Sequence, residues 1–191
     1  MIPHSMIFDD FFTDPNQVKK LINAEPMRDE KYDDGVIYPN ITRLPEAVLA
    51  EIQYKLMSFF GPSIDLVLAF ARYSFENVTP PHWAHSDRNI AQYVGLIYMN
   101  ENHSEFGTAT LRHAELGFEK HPQTEFHKRI LLSHANARQE WEITYKCPAK
   151  FNRLFVLNAD LIHAALGEYG TTKEDGRLVV SVFFNAGKHE D

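Results

Sequence analysis

His85, Ser86 and Asp87 follow closely on Pro80 and Pro81 and set an imidazole and a carboxylate two residues apart. In an extended segment, residues i and i+2 project from one face, so these two side chains can converge on one point. The doublet alone is weak: with ten histidines in 191 residues, chance supplies roughly 0.6 such pairs. Two later residues give it weight. His163 follows the apolar run 154–157, at or just beyond the end of a strand. Arg177 opens a second apolar run, residues 178–184. A guanidinium entering a sheet interior there needs an anion, because burying it alone is very costly. Two imidazoles and one carboxylate on a β-scaffold are the ligand set that covers one face of an octahedral Fe(II) and leaves three positions open. A nearby arginine can grip the far carboxylate of a dicarboxylate whose other end chelates the metal.

Strands must hold these residues. Residues 66–75 and 90–99 are apolar on both alternations, as expected for strands covered on both faces. Residues 154–157 and 178–184 are rich in Val, Leu and Phe, and 108–113 form a shorter candidate. Trp141, Ile143 and Tyr145 alternate with Glu140, Glu142, Thr144 and Lys146, which predicts a strand with one face in water. The N-terminal quarter reads as helical. Asp14, Pro15 and Gln17 make a capping arrangement ahead of Val18, Leu21 and Ile22. A second helix runs from near Pro45 through Leu49, Ile52, Leu56, Phe59 and Phe60, and Gly61-Pro62 ends it. Residues 122–137, with Phe126, Ile130 and Leu131, predict a helical insertion. Helices followed by short strands give an α+β chain, mainly β, built as an antiparallel sandwich or barrel.

Composition narrows the function classes. The length suits one domain, with no repeat or linker to divide it. A net charge of −7 provides no positive field for nucleic acid or an anionic membrane. The single cysteine, Cys147, excludes an intramolecular disulfide and a Cys-rich zinc site, so any metal here is held by imidazole and carboxylate. Asp9 and Asp10 stand where a signal peptide would be basic, and the longest apolar stretch, 66–71, is too short to span a bilayer. A cytoplasmic protein is expected.

In this order the residues resemble a family, the Fe(II)- and 2-oxoglutarate-dependent oxygenases, in their prolyl 4-hydroxylase-like branch. Tyr73, His85-x-Asp87, Ile97-Tyr98-Met99-Asn100, Gly107-x-x-Thr110, His163 and Arg177 carry the resemblance, which covers roughly residues 65–185. It implies a double-stranded β-helix (a jelly-roll, cupin-like fold) over 63–191, with residues 1–62 as helical N-terminal support. It also implies Fe(II) bound by His85, Asp87 and His163, with 2-oxoglutarate held by Arg177 and by a tyrosine placed like Tyr73. The serine many relatives carry two residues after the arginine is here Val179, and Ser181 comes two later, which leaves the second hydrogen-bond partner of the cosubstrate open. The implied activity is dioxygen-dependent hydroxylation of a C–H bond in a small molecule or a peptidyl residue, releasing succinate and carbon dioxide. Because Asp87 is present, hydroxylation is favoured over halogenation. The alternatives are a cupin-like metalloprotein that does not use 2-oxoglutarate, which leaves Arg177 unexplained, and a non-catalytic binding module. Of the other histidines, His113 is expected at the surface and His103, His121, His127 and His134 in solvated loops or helices. Trp83 and Trp141 read as core or rim packing.

Overall fold

The computed structural model describes residues 4–31, 35–101 and 103–187. The elements in chain order are β1 (Ser5–Phe8), α1 (Pro15–Ala24), β2 (Met27–Lys31), β3 (Ile37–Arg43), α2 (Glu46–Phe60), β4 (Ile64–Ser74) and β5 (Tyr93–Tyr98). They continue with β6 (Gly107–His113), α3 (Glu125–His134), a 3-10 turn (Arg138–Glu140), β7 (Trp141–Pro148), β8 (Arg153–Asn158), β9 (His163–Ala165) and β10 (Arg177–Ala186). Two antiparallel sheets result. The major sheet runs β1-β8-β5-β10-β4-β3-β2 and the minor one β7-β6-β9. A single backbone bridge between His85 and His163 extends the minor sheet past β9. From β4 onward the chain thus crosses repeatedly between two facing sheets, which is the winding of a jelly roll.

Each face of the major sheet has its own core, which is why its strands are apolar on both alternations. Outward, Tyr73, Ile97, Val180 and Val182 pack under the two N-terminal helices in one buried cluster. Inward, Val94, Phe155, Leu157, Val179 and Phe183 form a second cluster between the sheets. α1 begins as its sequence suggests: the Asp14 carboxylate accepts from Gln17 N–H at 3.0 Å, with Pro15 in the first turn. α2 buries Val48, Ile52 and Leu56 and ends at Gly61, whose φ of 92° lies in the left-handed region that glycine adopts without strain. Full burial of each such aliphatic side chain contributes about 1.5–3 kcal/mol.

The N-terminal segment differs from its expectation. It holds both helices, yet β1, β2 and β3 lie among them, so residues 1–62 also supply three strands of the major sheet. β1 and β2 are the sheet's two edges. β2 reads Met-Arg-Asp-Glu-Lys, a charged edge strand without the alternation that would reveal it. The insertion at 122–137 is helical, as α3, capped by the Thr124 hydroxyl accepting from His127 N–H at 3.2 Å. β7 is the outer strand of the minor sheet and leaves Ile143 54% and Tyr145 44% exposed, whereas Trp141 and Cys147 are buried. Its alternation therefore does not mark a continuously covered face. No helix among the described residues is long and apolar enough to cross a membrane.

A carboxylate beyond β1 ties that edge down. Asp9 accepts from Lys150 Nζ at 2.8 Å and from Arg153 Nε at 2.6 Å. Hydrogen bonds from these two cations hold its pKa well below the usual carboxylate range. A lowered folded-state pKa stabilises the protein above the unfolded value, near 4, and the contribution fades as pH falls below that. Asp9→Asn is expected to cost about 0.5–1 kcal/mol at pH 7, because solvent screens this partly exposed cluster. In urea melts the difference from wild type should shrink steadily below pH 4.

Candidate metal centre

His85 and His163 are neighbours through their backbones before their side chains are considered. His85 N–H donates to His163 C=O at 3.1 Å, and His163 N–H returns the bond to His85 C=O at 2.8 Å. Asp87 N–H donates to Ala159 C=O at 3.0 Å, fixing the far end of the His-Ser-Asp segment. From behind, Ala84 N–H donates to Ala135 C=O at 2.8 Å, and Trp83 Nε1–H donates to Ala165 C=O at 2.9 Å. The three side chains then converge, with one donor atom of each within 4.8 Å of the other two. His163 Nε2 lies 3.2 Å from Asp87 Oδ2, and His85 Nε2 lies 3.8 Å from Asp87 Oδ1.

The outer nitrogens decide what the inner ones can do. His85 Nδ1 lies 3.1 Å from Trp83 C=O, and His163 Nδ1 lies 3.0 Å from Leu161 C=O. A carbonyl only accepts, so both Nδ1 atoms carry hydrogen and both Nε2 atoms turn toward Asp87. This is the outer support that fixes tautomer and ring orientation in metal-ligating histidines. Three cis donors at about 2.1 Å from one ion stand about 3 Å apart, close to the spacing seen. Electrostatics agree. Burial disfavours the charge on Asp87, but the two imidazoles outweigh it and its pKa lies below the ordinary value. Burial likewise opposes the His163 charge and is outweighed by the Asp87 carboxylate, which raises its pKa. Burial and the neighbouring His163 pull His85 down to about 4.

The centre opens into a cavity of about 260 Å³ between the sheets. Arg177 lines the same cavity and is 6% exposed. Among the described residues its guanidinium has one protein partner, Gly107 C=O at 3.2 Å from Nη2, and no carboxylate. Burial pulls its pKa down, opposed in part by the Glu168 carboxylate, which acts on it without a hydrogen bond. A buried cation that faces a cavity with no carboxylate hydrogen-bonded to it is suited to gripping an anion there. Thr108 and Ser181 line the cavity with it, and Tyr98 donates to the Thr108 hydroxyl at 2.9 Å. Beyond them the wall becomes apolar, through Leu68, Phe70, Leu96 and Phe183.

The structure brings His85, Asp87, His163 and Arg177 to one cavity. It does not bring Tyr73 there. The cavity face of β4 carries Leu68, Phe70, Arg72 and Ser74. Tyr73 points to the other side, fully buried under the helices, with its hydroxyl donating to Asn23 Oδ1. Register is the reason. Arg72 pairs with Val179 and Tyr73 with Leu178, so a β10 that turns Arg177 and Val179 inward also turns Arg72 inward. The tyrosine that reaches the cavity is Tyr38 of β3, with the Arg72 guanidinium 5.9 Å from its ring. Of the two threonines in 107–110, Thr108 faces the cavity, while Thr110 pairs with Thr144 at 2.8 Å. Tyr38 lay in a segment read as helical, and no signal in the sequence marked it.

Gly107 is required by close approach. A Cβ there would meet Cys147 C=O at 2.0 Å, a backbone atom that cannot step aside. Gly107→Ala is therefore expected to destabilise the protein by about 1–3 kcal/mol and to displace the carbonyl that holds Arg177. Thermal melts and anion titration of the one variant read the two effects separately.

No family model matches the sequence, and no curated protein matches it. Solved structures do resemble it in shape. HygX from Streptomyces hygroscopicus, with nickel and 2-oxoglutarate bound, aligns with a TM-score of 0.60 at 10% identity, covering 95% of this chain and 82% of that one. SnoK, a non-heme alpha ketoglutarate dependent carbocyclase from nogalamycin biosynthesis, aligns at 0.57 and 11% identity, covering 96% and 80%. IDO from Bacillus thuringiensis aligns at 0.54 and 11% identity, covering 97% and 92%. The chain is a double-stranded β-helix. At these identities the likeness speaks for the fold, and the chemistry must be argued from the side chains.

Proposed function

We propose that this protein is an Fe(II)- and 2-oxoglutarate-dependent dioxygenase that hydroxylates a C–H bond of a small molecule or peptidyl residue. The observation that carries the reading is Arg177, a buried guanidinium with no carboxylate hydrogen-bonded to it among the described residues, in one cavity with two oriented imidazoles and Asp87. The donor set fits iron: neutral imidazole nitrogens and a carboxylate, with no thiolate near. His85, Asp87 and His163 would hold it. Arg177 would pair with the distal carboxylate of 2-oxoglutarate, with Thr108 and Ser181 as hydroxyl partners on the same wall. The fold neighbours support this through their own contents: HygX has been solved with iron and with nickel and 2-oxoglutarate.

Iron and 2-oxoglutarate, when bound, would supply the oxidising chemistry, with dioxygen as oxidant and succinate and carbon dioxide as co-products. The chain's own residues bind, orient and shield. Trp83 and Leu161 carbonyls keep both imidazoles in the ligating tautomer. Leu68, Phe70, Leu96 and Phe183 line the remaining space and suit an apolar portion of the prime substrate. Outcomes differ among neighbours of this fold, which include an epimerase and a carbocyclase. The intact carboxylate ligand, Asp87, favours hydroxylation over halogenation.

Anaerobic titration with Fe(II) and then 2-oxoglutarate tests the reading. A visible charge-transfer band should appear with wild type and be absent with His85→Ala, and succinate should form when oxygen is admitted. Iron binding with neither the band nor succinate would replace the reading with a metalloprotein that does not use 2-oxoglutarate.

A further inference from the structure

A second set of ligand-type side chains converges where the insertion meets the minor sheet, and the proposed function makes no use of it. His113 ends β6, His134 ends α3 and Glu140 ends the 3-10 turn. One donor atom of each lies within 4.8 Å of the other two. His113 Nε2 is 3.0 Å from His134 Nδ1, and that nitrogen is 3.9 Å from Glu140 Oε2. Phe118 stacks on the His113 ring with centroids 5.0 Å apart, and Trp141 meets it edge-on at 5.1 Å. Two imidazole nitrogens and one carboxylate oxygen, buried at His113 and half-buried at His134 and Glu140, are the protein donors of a three-ligand zinc site, completed by water. Tetrahedral donors at zinc–ligand distances of about 2.0–2.1 Å stand about 3.3 Å apart, between the two separations here.

We infer that His113, His134 and Glu140 bind a divalent transition-metal ion of the zinc type, separate from the His85–Asp87–His163 centre. Without the ion the same atoms make an imidazole pair. Leu116 N–H donates to His113 Nδ1 at 3.3 Å, so His113 Nε2 carries the hydrogen that points at His134. The ion takes the place of that hydrogen, which moves to Nδ1. Leu116 N–H then faces a second N–H and must turn away, so the ion binds at the cost of that longer bond and of a small backbone shift.

The bound ion would act as a clip. His134 is followed by Ala135 and Asn136, whose polar atoms hold the segment leading to His85. Ala135 C=O accepts from Ala84 N–H at 2.8 Å, and Asn136 Oδ1 accepts from Trp83 N–H at 2.8 Å. Asn136 Nδ2 donates to Pro81 C=O at 3.0 Å. An ion that fastens the end of α3 to β6 therefore fastens the strap that presents His85.

Equilibrium dialysis against Zn(II), with metal analysis, tests the inference independently of any activity. Wild type should hold two ions per chain and His134→Asn or Glu140→Gln one, with affinity at the altered site down by at least about tenfold. The double variant Asp87→Ala/His163→Ala should retain one ion, and zinc should slow amide exchange at Trp83 and Ala84 in it. Two ions retained by both the His134 and Glu140 variants would overturn the inference and leave a hydrogen-bonded imidazole pair only. So would a folded double variant that binds none.

Discussion

Arg177→Met is expected to make the metal-free protein more stable while removing its grip on 2-oxoglutarate. The wild-type guanidinium lies in the sheet interior with Gly107 C=O as its one protein acceptor among the described residues. Replacing even a buried ion pair with apolar side chains is often stabilising by about 1–4 kcal/mol, and an unpaired guanidinium gives up less when it is replaced. Loss of the Gly107 bond reduces this to a net gain of about 1–3 kcal/mol, visible as a higher melting temperature without ligand. The dicarboxylate loses its charge-assisted partner, which costs about 2–5 kcal/mol, or a thirtyfold or greater rise in its dissociation constant. Iron affinity should stay within a few-fold of wild type. Equal loss of iron and 2-oxoglutarate, or a lower melting temperature, would sink the assignment of Arg177 as an anion grip.

His163→Ala is expected to act in the opposite sense, lowering both stability and function. Asp87 would keep only the neutral His85 imidazole, 3.8 Å away, of the two rings that face it in a buried setting. Breaking a buried pair by removing one member typically costs 3–5 kcal/mol. Here the cost should approach the lower figure, because Asp87 can take up a proton instead. Removing the outer supports of a metal ligand already costs 10–100-fold, so loss of the ligand itself should reduce iron affinity and succinate formation by at least about 100-fold. Metal analysis after dialysis and anaerobic absorption spectra read this directly. Retained iron at wild-type affinity would show that His163 is not a ligand.

The residues that converge were legible because spacing and strand ends leave marks in a sequence. His85 and Asp87 share one face of an extended segment, and His163 and Arg177 stand at the starts of β9 and β10. Tyr73 was misplaced for a physical reason. β4 is covered on both faces, so its apolar residues carry no parity, and only its register against β10 shows that Arg72 and Ser74 turn inward. Tyr38 went unread because Pro39 and Asn40 interrupt the strand pattern of β3 and its outer neighbour β2 is a charged edge strand. His113 is fully buried rather than at the surface, since the insertion folds over the end of β6. Contacts between distant segments leave no local pattern to read.

β10, the last described strand in sequence, is the central strand of the major sheet, hydrogen-bonded to β4 on one side and β5 on the other. On the ribosome, β4 and β5 therefore wait with open edges until residues beyond Arg177 have emerged. Pairings over so many residues close slowly, and the waiting edges are those that misassociate. The anion grip and the keystone of the sheet arrive on the same strand. A nascent chain stopped before Arg177 would be a substrate for chaperones and proteases rather than a weakened form of the protein.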